Sequence, residues 1–130
     1  MAITFHPNPG TILECDYSGM KEPEMVKKRP VLVISPRSRI HGLVTVVAIS
    51  TTAPHTLLPW HYSLILPKPL APSWPECEVW IKGDMINTFR LARFDRFHTK
   101  TDSGRKYYDR RISDQELTAV RQCVAAFLLR

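Results

Sequence analysis

The chain has 130 residues, 44% hydrophobic and 23% charged, with a net charge of +6 at neutral pH. That length suits one compact domain over 1–130, and no apolar run approaches the roughly 20 residues that span a bilayer, which argues against disorder and membrane insertion. Residues 1–10 carry neither a basic n-region nor an apolar core, so we expect no secretory leader and a cytoplasmic protein.

Residues 11–17 lie between Pro9-Gly10 and Ser18-Gly19, turn residues that bound a mixed-polarity stretch of strand length. A charged loop, 18–28, follows without strong periodicity. The run Pro30-Val-Leu-Val-Ile-Ser35 is continuous, β-branched and closed by Pro36, which predicts a strand buried on both faces. Residues 42–50 predict a third strand of the same kind. Six of the eleven prolines fall in 51–75. Proline has no N–H to give a sheet ladder, so this span predicts loop or edge, with 61–66 as its one strand. Residues 78–82 and 85–89 predict two more strands separated by a bend at Gly83-Asp84. Ser113-Asp-Gln-Glu116 has the form of a capping box, and Leu117, Val120, Val124, Phe127 and Leu128 recur at helical spacing behind it. Many short strands and one terminal helix, with no alternating strand-helix rhythm, predict a mainly β (α+β) fold. We expect a small SH3-like antiparallel barrel crossed by a C-terminal helix.

Cys15, Cys77 and Cys123 are odd in number and widely spaced, which suits reduced thiols acting as small core hydrophobes. The five histidines, His6, His41, His55, His61 and His98, show no HxxxH pair and the cysteines no CxxC, so no metal site is expected. From Arg90 to Arg111 eight basic residues face three acidic ones, a net +5 that holds most of the excess charge. Phe94, Phe97, His98, Tyr107 and Tyr108 are interleaved with them, a mixture suited either to single-stranded nucleic acid or to a solvated hairpin with its rings in the core.

Phosphate-cradling, dinucleotide and hydrolase motifs are absent. What remains is a set of basic and hydroxyl residues at strand ends: Lys27-Lys28-Arg29 entering the second strand, Ser35-Pro-Arg37 leaving it, and Ser50-Thr51-Thr52 leaving the third. In its segment Pro23-Glu-Met-Val-Lys-Lys-Arg-Pro-Val-Leu-Val-Ile-Ser-Pro36 the chain resembles the MazF/PemK family, where a glutamate-bearing loop enters Arg-Pro and an apolar strand ending in Ser-Pro. Residues 9–16, 46–52 and 83–89 resemble, in order, the family's opening Gly-Asp strand, its third strand with a Thr at the exit, and its later Asp-Gln-hydrophobic segment. The resemblance covers most of the chain. In departures from it, Met25 stands where the family often has Gln, Lys27 stands where Gly is frequent, Pro9 precedes the opening Gly, and 67–75 is proline-rich.

The resemblance implies the toxin of a type II toxin-antitoxin system: a homodimeric, metal-independent endoribonuclease without a cofactor. It would cut single-stranded RNA to 2′,3′-cyclic phosphate and 5′-hydroxyl ends. Its other partner would be an acidic antitoxin, and DNA would be met only through that antitoxin. The family's catalytic arginine falls on Arg29 and its threonine on Thr51. A guanidinium offers a fixed fork of permanently charged donors to a phosphate gaining charge, whereas a lone threonine is a weak base and better suited to positioning. His55 and His61 are candidate bases by residue type alone. Glu24, Lys28, Ser35, Arg37, Thr52, Asp84 and Arg93 are the expected RNA contacts. Two other readings stay open: a CcdB-like toxin that binds gyrase, and a non-catalytic nucleic-acid-binding barrel. Arg29 paired to Glu24 as an ordinary surface ion pair is the structural alternative.

Overall fold

The computed structural model describes residues 2–37 and 42–130; His41, one of the five histidines, falls outside them. Among the described residues the strands are β1 (Thr11–Asp16), β2 (Lys28–Val33), β3 (Leu43–Ser50), β4 (His61–Ile65), β5 (Glu78–Arg90), β6 (Phe94–Asp95), β7 (Phe97–Thr101), β8 (Gly104–Tyr108) and β9 (Arg110–Arg111). One helix, α1 (Asp114–Leu128), closes the chain. No helix is long and apolar enough to cross a membrane among these residues.

The main sheet is antiparallel and curled, in the order β4-β5-β3-β2-β1-β6, and β9 shares the outer edge of β1 with β6. β7 and β8 form a separate hairpin. Alternation along β2 divides the buried residues between two cores. Val31 and Val33 join Leu13, Cys15, Tyr17, Val44 and Phe89 on one face. Leu32 joins Ile12, Ile49, Ile81 and the helix residues Leu117, Val120 and Val124 on the other. Burial on both faces explains why β2 reads as a continuous apolar run, each such side chain contributing about 1.5–3 kcal/mol.

α1 starts where the capping box predicts. The Ser113 hydroxyl accepts from the Glu116 amide at 3.1 Å, and a Glu116 carboxylate oxygen accepts from the Ser113 amide at 3.1 Å. Its apolar stripe ends earlier than the spacing predicts. Phe127 packs edge-on against Trp60, whereas Leu128 is 65% exposed, beyond the sheet that would cover it.

Two strand boundaries differ from the sequence reading. β2 begins at Lys28 rather than Pro30, which puts Arg29 inside a strand, and ends at Val33. The stretches 78–82 and 85–89 are one thirteen-residue strand, not two. Its pairing with β3 jumps from Ala48↔Lys82 to Val47↔Ile86, so residues 83–85 form a bulge without a break in the strand. Gly83 makes the bulge possible. A Cβ there would lie 2.5 Å from the Trp60 carbonyl oxygen and 3.2 Å from the Cys123 carbonyl carbon, so the bulge packs against α1 only without a side chain.

Candidate functional site

Antiparallel pairing puts the start of β2 beside the exit of β3 and the exit of β1. The β2–β3 ladder ends at Val31↔Ala48, two residues past Arg29 on one strand and two before Ser50 on the other, so both lie at this end of the sheet. On its other side Arg29 pairs with Cys15, and Lys28 with Asp16. One end of the sheet therefore collects Asp16, Lys28, Arg29, Ser50, Thr51 and Thr52.

Arg29 is half-buried, and its Nε donates to the Val26 carbonyl at 3.2 Å. It makes no ion pair with Glu24 among the described residues. Instead a Glu24 carboxylate oxygen accepts from the Lys21 amide at 2.9 Å, while the Glu24 amide donates to the Lys21 carbonyl at 2.9 Å. Glu24 thus closes a turn in its own loop and leaves the remaining Arg29 donors to solvent.

Ser50 lies at the same sheet end, but its hydroxyl is committed to a bend: it accepts from the Thr52 amide at 3.1 Å and donates to the Thr52 carbonyl at 3.0 Å. Thr51 lies in that bend, past the point where strand alternation sets its direction. It is half-buried, and its hydroxyl has no hydrogen-bond partner among the described residues. Thr52 is exposed. The arrangement offers one guanidinium fork and one uncommitted hydroxyl at neighbouring strand ends, the groups a phosphodiester needs for charge stabilisation and orientation.

The other expected contacts divide. Lys28 is exposed opposite Asp16, whose carboxyl lies below the usual carboxylate range. The main cause is the hydrogen bond from the Ser18 amide at 2.9 Å, with Lys28 and Arg93 adding to it. Arg93 is a clamp: one terminal nitrogen donates to the carbonyls of Asp16 and Ser18, each at 2.9 Å, and the guanidinium lies 4.8 Å from the Phe89 ring centre. Ser35 and Arg37 stand beyond the opposite end of β2. Six residues of extended chain put Ser35 roughly 20 Å from Arg29. The Ser35 hydroxyl is used there, accepting from the Thr45 amide at 3.0 Å. His55 is exposed, and Nδ1 of His61 accepts from the Leu58 amide at 3.1 Å, a packing role.

The +5 segment largely satisfies itself. Arg96 grips Asp109 at 2.9 and 2.7 Å and lies 3.9 Å from the Tyr107 ring centre. Arg105 pairs with Asp95 at 3.5 Å, and Arg110 donates to the Pro69 carbonyl. Phe94 and Phe97 are buried. The rings expected to interleave with free cations therefore sit in the core or beneath the segment's own arginines.

Sequence reasoning missed a cavity of about 180 Å³ beside the 18–27 loop. The bulge brings Asp84 and Met85 to it, and Tyr17, Met20 and Asn87 complete much of its lining. These residues are dispersed along the chain, and no spacing rule unites them. Among the described residues no three His, Cys, Asp or Glu side chains gather into a metal-binding cluster.

Residues 8–128 match the family model described as a PemK-like, MazF-like toxin of type II toxin-antitoxin system. An uncharacterized protein of Haemophilus influenzae is 27% identical, the match covering 97% of this chain and 96% of that one. Among solved structures, a mycobacterial endoribonuclease in complex with its cognate antitoxin is 18% identical, with a TM-score of 0.65 over 94% of each chain. MazF from Deinococcus radiodurans is 18% identical at a TM-score of 0.65, covering 97% of this chain and 99% of that one. At such identity the structural matches establish the fold.

Proposed function

We propose that this chain, which belongs to the PemK-like, MazF-like toxin family of type II toxin-antitoxin systems, is an endoribonuclease that cuts single-stranded RNA at the sheet end holding Arg29 and Thr51. The observation that supports the reading is the end of the β2–β3 ladder, past which lie a half-buried arginine on one strand and, on the other, a bend with an uncommitted hydroxyl. The endoribonuclease names of the mycobacterial neighbours support it.

In this reading the ribose 2′-oxygen attacks the adjacent phosphorus and the bond to the 5′-oxygen breaks, leaving a 2′,3′-cyclic phosphate and a 5′-hydroxyl. Arg29 stabilises the charge growing on the nonbridging oxygens, and its fork is already oriented by the bond to Val26. Thr51 orients the same phosphate. Because Arg29 supplies the positive charge, the reaction needs no divalent ion. Lys28, Glu24, Thr52 and Asp84 serve as RNA contacts around this end. Ser35 and Arg37 touch a distant part of the strand, and Arg93 supports the exit of β1.

The chain works as a homodimer restrained by an antitoxin; the mycobacterial endoribonuclease in complex with its cognate antitoxin supports the antitoxin by its name. An acidic antitoxin suits a chain of net charge +6. The test is to incubate purified protein with single-stranded RNA in excess chelator. Fragments with cyclic-phosphate ends support the reading, and intact RNA refutes it.

A further inference from the structure

The three internal methionines of the chain, Met20, Met25 and Met85, all line the same cavity of about 180 Å³. Tyr17 lines it too, and is only 1% exposed. The Tyr17 hydroxyl is buried without a hydrogen-bond partner among the described residues. Such an orphan group lowers stability, because it has left water and gained nothing in exchange. The hydroxyl is closed to water in the free protein, so a partner seated in the neighbouring cavity must shift the lining to reach it. Burial also pushes the phenol's pKa well up, so it meets that partner as a neutral donor.

The cavity lies on the face of the sheet that carries Arg29. Val31 and Val33 share a core with Tyr17, and Arg29 is the next residue in their row. Arg29 also tethers Val26, the neighbour of the cavity-lining Met25. On the rim, the bulge presents Asp84, and Glu24 retains one carboxylate oxygen not used on the Lys21 amide.

We propose that this cavity reads a single cytosine of the RNA, adjacent to the phosphate bound by Arg29, an inference that rests on the nuclease reading above. A cavity of about 150 Å³ accommodates a benzene ring, so this one of about 180 Å³ has the room a one-ring base needs. Thioethers are polarisable walls that pack well against the faces of aromatic rings. The polar groups then choose between the pyrimidines. Asp84 and Glu24 only accept, which suits the exocyclic amino group of cytosine. Uracil would set a carbonyl oxygen against those carboxylates. The Tyr17 hydroxyl is a donor for a ring carbonyl or ring nitrogen of cytosine, beside the Asn87 amide that also lines the cavity.

The test uses labelled oligouridine carrying 2′-O-methyl groups, which block attack by the 2′-oxygen, with or without one cytidine. Fluorescence anisotropy should show about tenfold tighter binding of the cytidine oligomer, the worth of one hydrogen bond to a charged group. Tyr17→Phe and Asp84→Asn should each bring that ratio close to one. Tyr17→Phe removes only an unpaired hydroxyl and Asp84 is exposed, so both variants should melt no lower than the parent. Equal affinity for the two oligomers, no binding of either, or a preference that survives both substitutions overturns the cytosine pocket. Unmodified RNA separates the two readings: cytidine-selective binding without cleavage removes the nuclease, and cleavage indifferent to cytidine removes the pocket.

Discussion

Arg29 donates from Nε to the carbonyl of Val26 three residues earlier, so the arginine that opens β2 also braces the loop before it. This contact turns the guanidinium before any phosphate arrives. Arg29→Ala should therefore lower single-turnover RNA cleavage about a hundredfold or more, the usual cost of one lost charge-stabilising donor. The unfolding midpoint should move little, since only about 1 kcal/mol of hydrogen bonding is removed. Arg29→Lys should rescue little, because an ammonium lacks the fork. Undiminished cleavage by the alanine variant would take Arg29 out of the mechanism.

Thr51 should act through its hydroxyl alone. Thr51→Val keeps the shape and should slow cleavage by about ten- to a hundredfold, the range for a hydrogen bond to a charged group. Thr51→Ser should retain most of the rate. Equal rates for the valine and serine variants would show that the side chain only fills space.

Lys27 has a φ of 67°, in the left-handed region that disfavours a side chain. Its carbonyl accepts from the Tyr17 amide at 2.8 Å, which holds the loop shut over the cavity. Lys27→Gly relieves strain of about 1 kcal/mol and should raise the urea midpoint. A lowered midpoint would show that the freedom gained by the unfolded chain outweighs that relief.

Gly83 is held against the Trp60 carbonyl and α1. Gly83→Ala should cost about 1–3 kcal/mol, as overpacking of a filled interior does, because the obstructing atoms are backbone. It should also weaken RNA binding by shifting Asp84. Unchanged stability in urea would mean that α1 moves aside freely.

Asp109 gives the hairpin region an acid-sensitive contact. Arg96 hydrogen bonds hold its carboxyl below the usual carboxylate range, and Asp109 in turn raises the Arg96 guanidinium. A lowered folded value means that the unfolded chain binds the proton more readily. The contribution is present above the unfolded value, about 3.9, and is lost as pH falls through the folded one. The Asp109 side chain is 70% exposed, so the effect should stay below about 1 kcal/mol. Asp109→Asn should flatten the stability profile below about pH 4, with Asp16 supplying part of the remaining slope. An identical slope in the variant would show that the pair contributes nothing in solution.

Much of this molecule can be read from local pattern. The run 30–35 is apolar throughout because both faces of β2 are covered, and Ser113 to Glu116 starts a helix through bonds within four residues. The strand-end sets 27–29, 35–37 and 50–52 could be listed because strand ends and residue types are local features, and the resemblance to the family picked Arg29 and Thr51 from them. The single β5 strand could not be read, since Gly83-Asp84 resembles a turn until β3 pairs on both sides of it. The basic segment misled for a related reason: composition counts its charges, but only the folded hairpin sets Arg96 on Asp109 and Tyr107.

Sequence by itself determined most element types and the helix cap, because each depends on neighbours a few positions apart. Tertiary structure alone decided which hydroxyls were already committed and gathered Tyr17, Met25 and Asp84 around one cavity. Those relations join residues far apart in the chain, and such contacts exist only once antiparallel pairing and the β5 bulge have set the register.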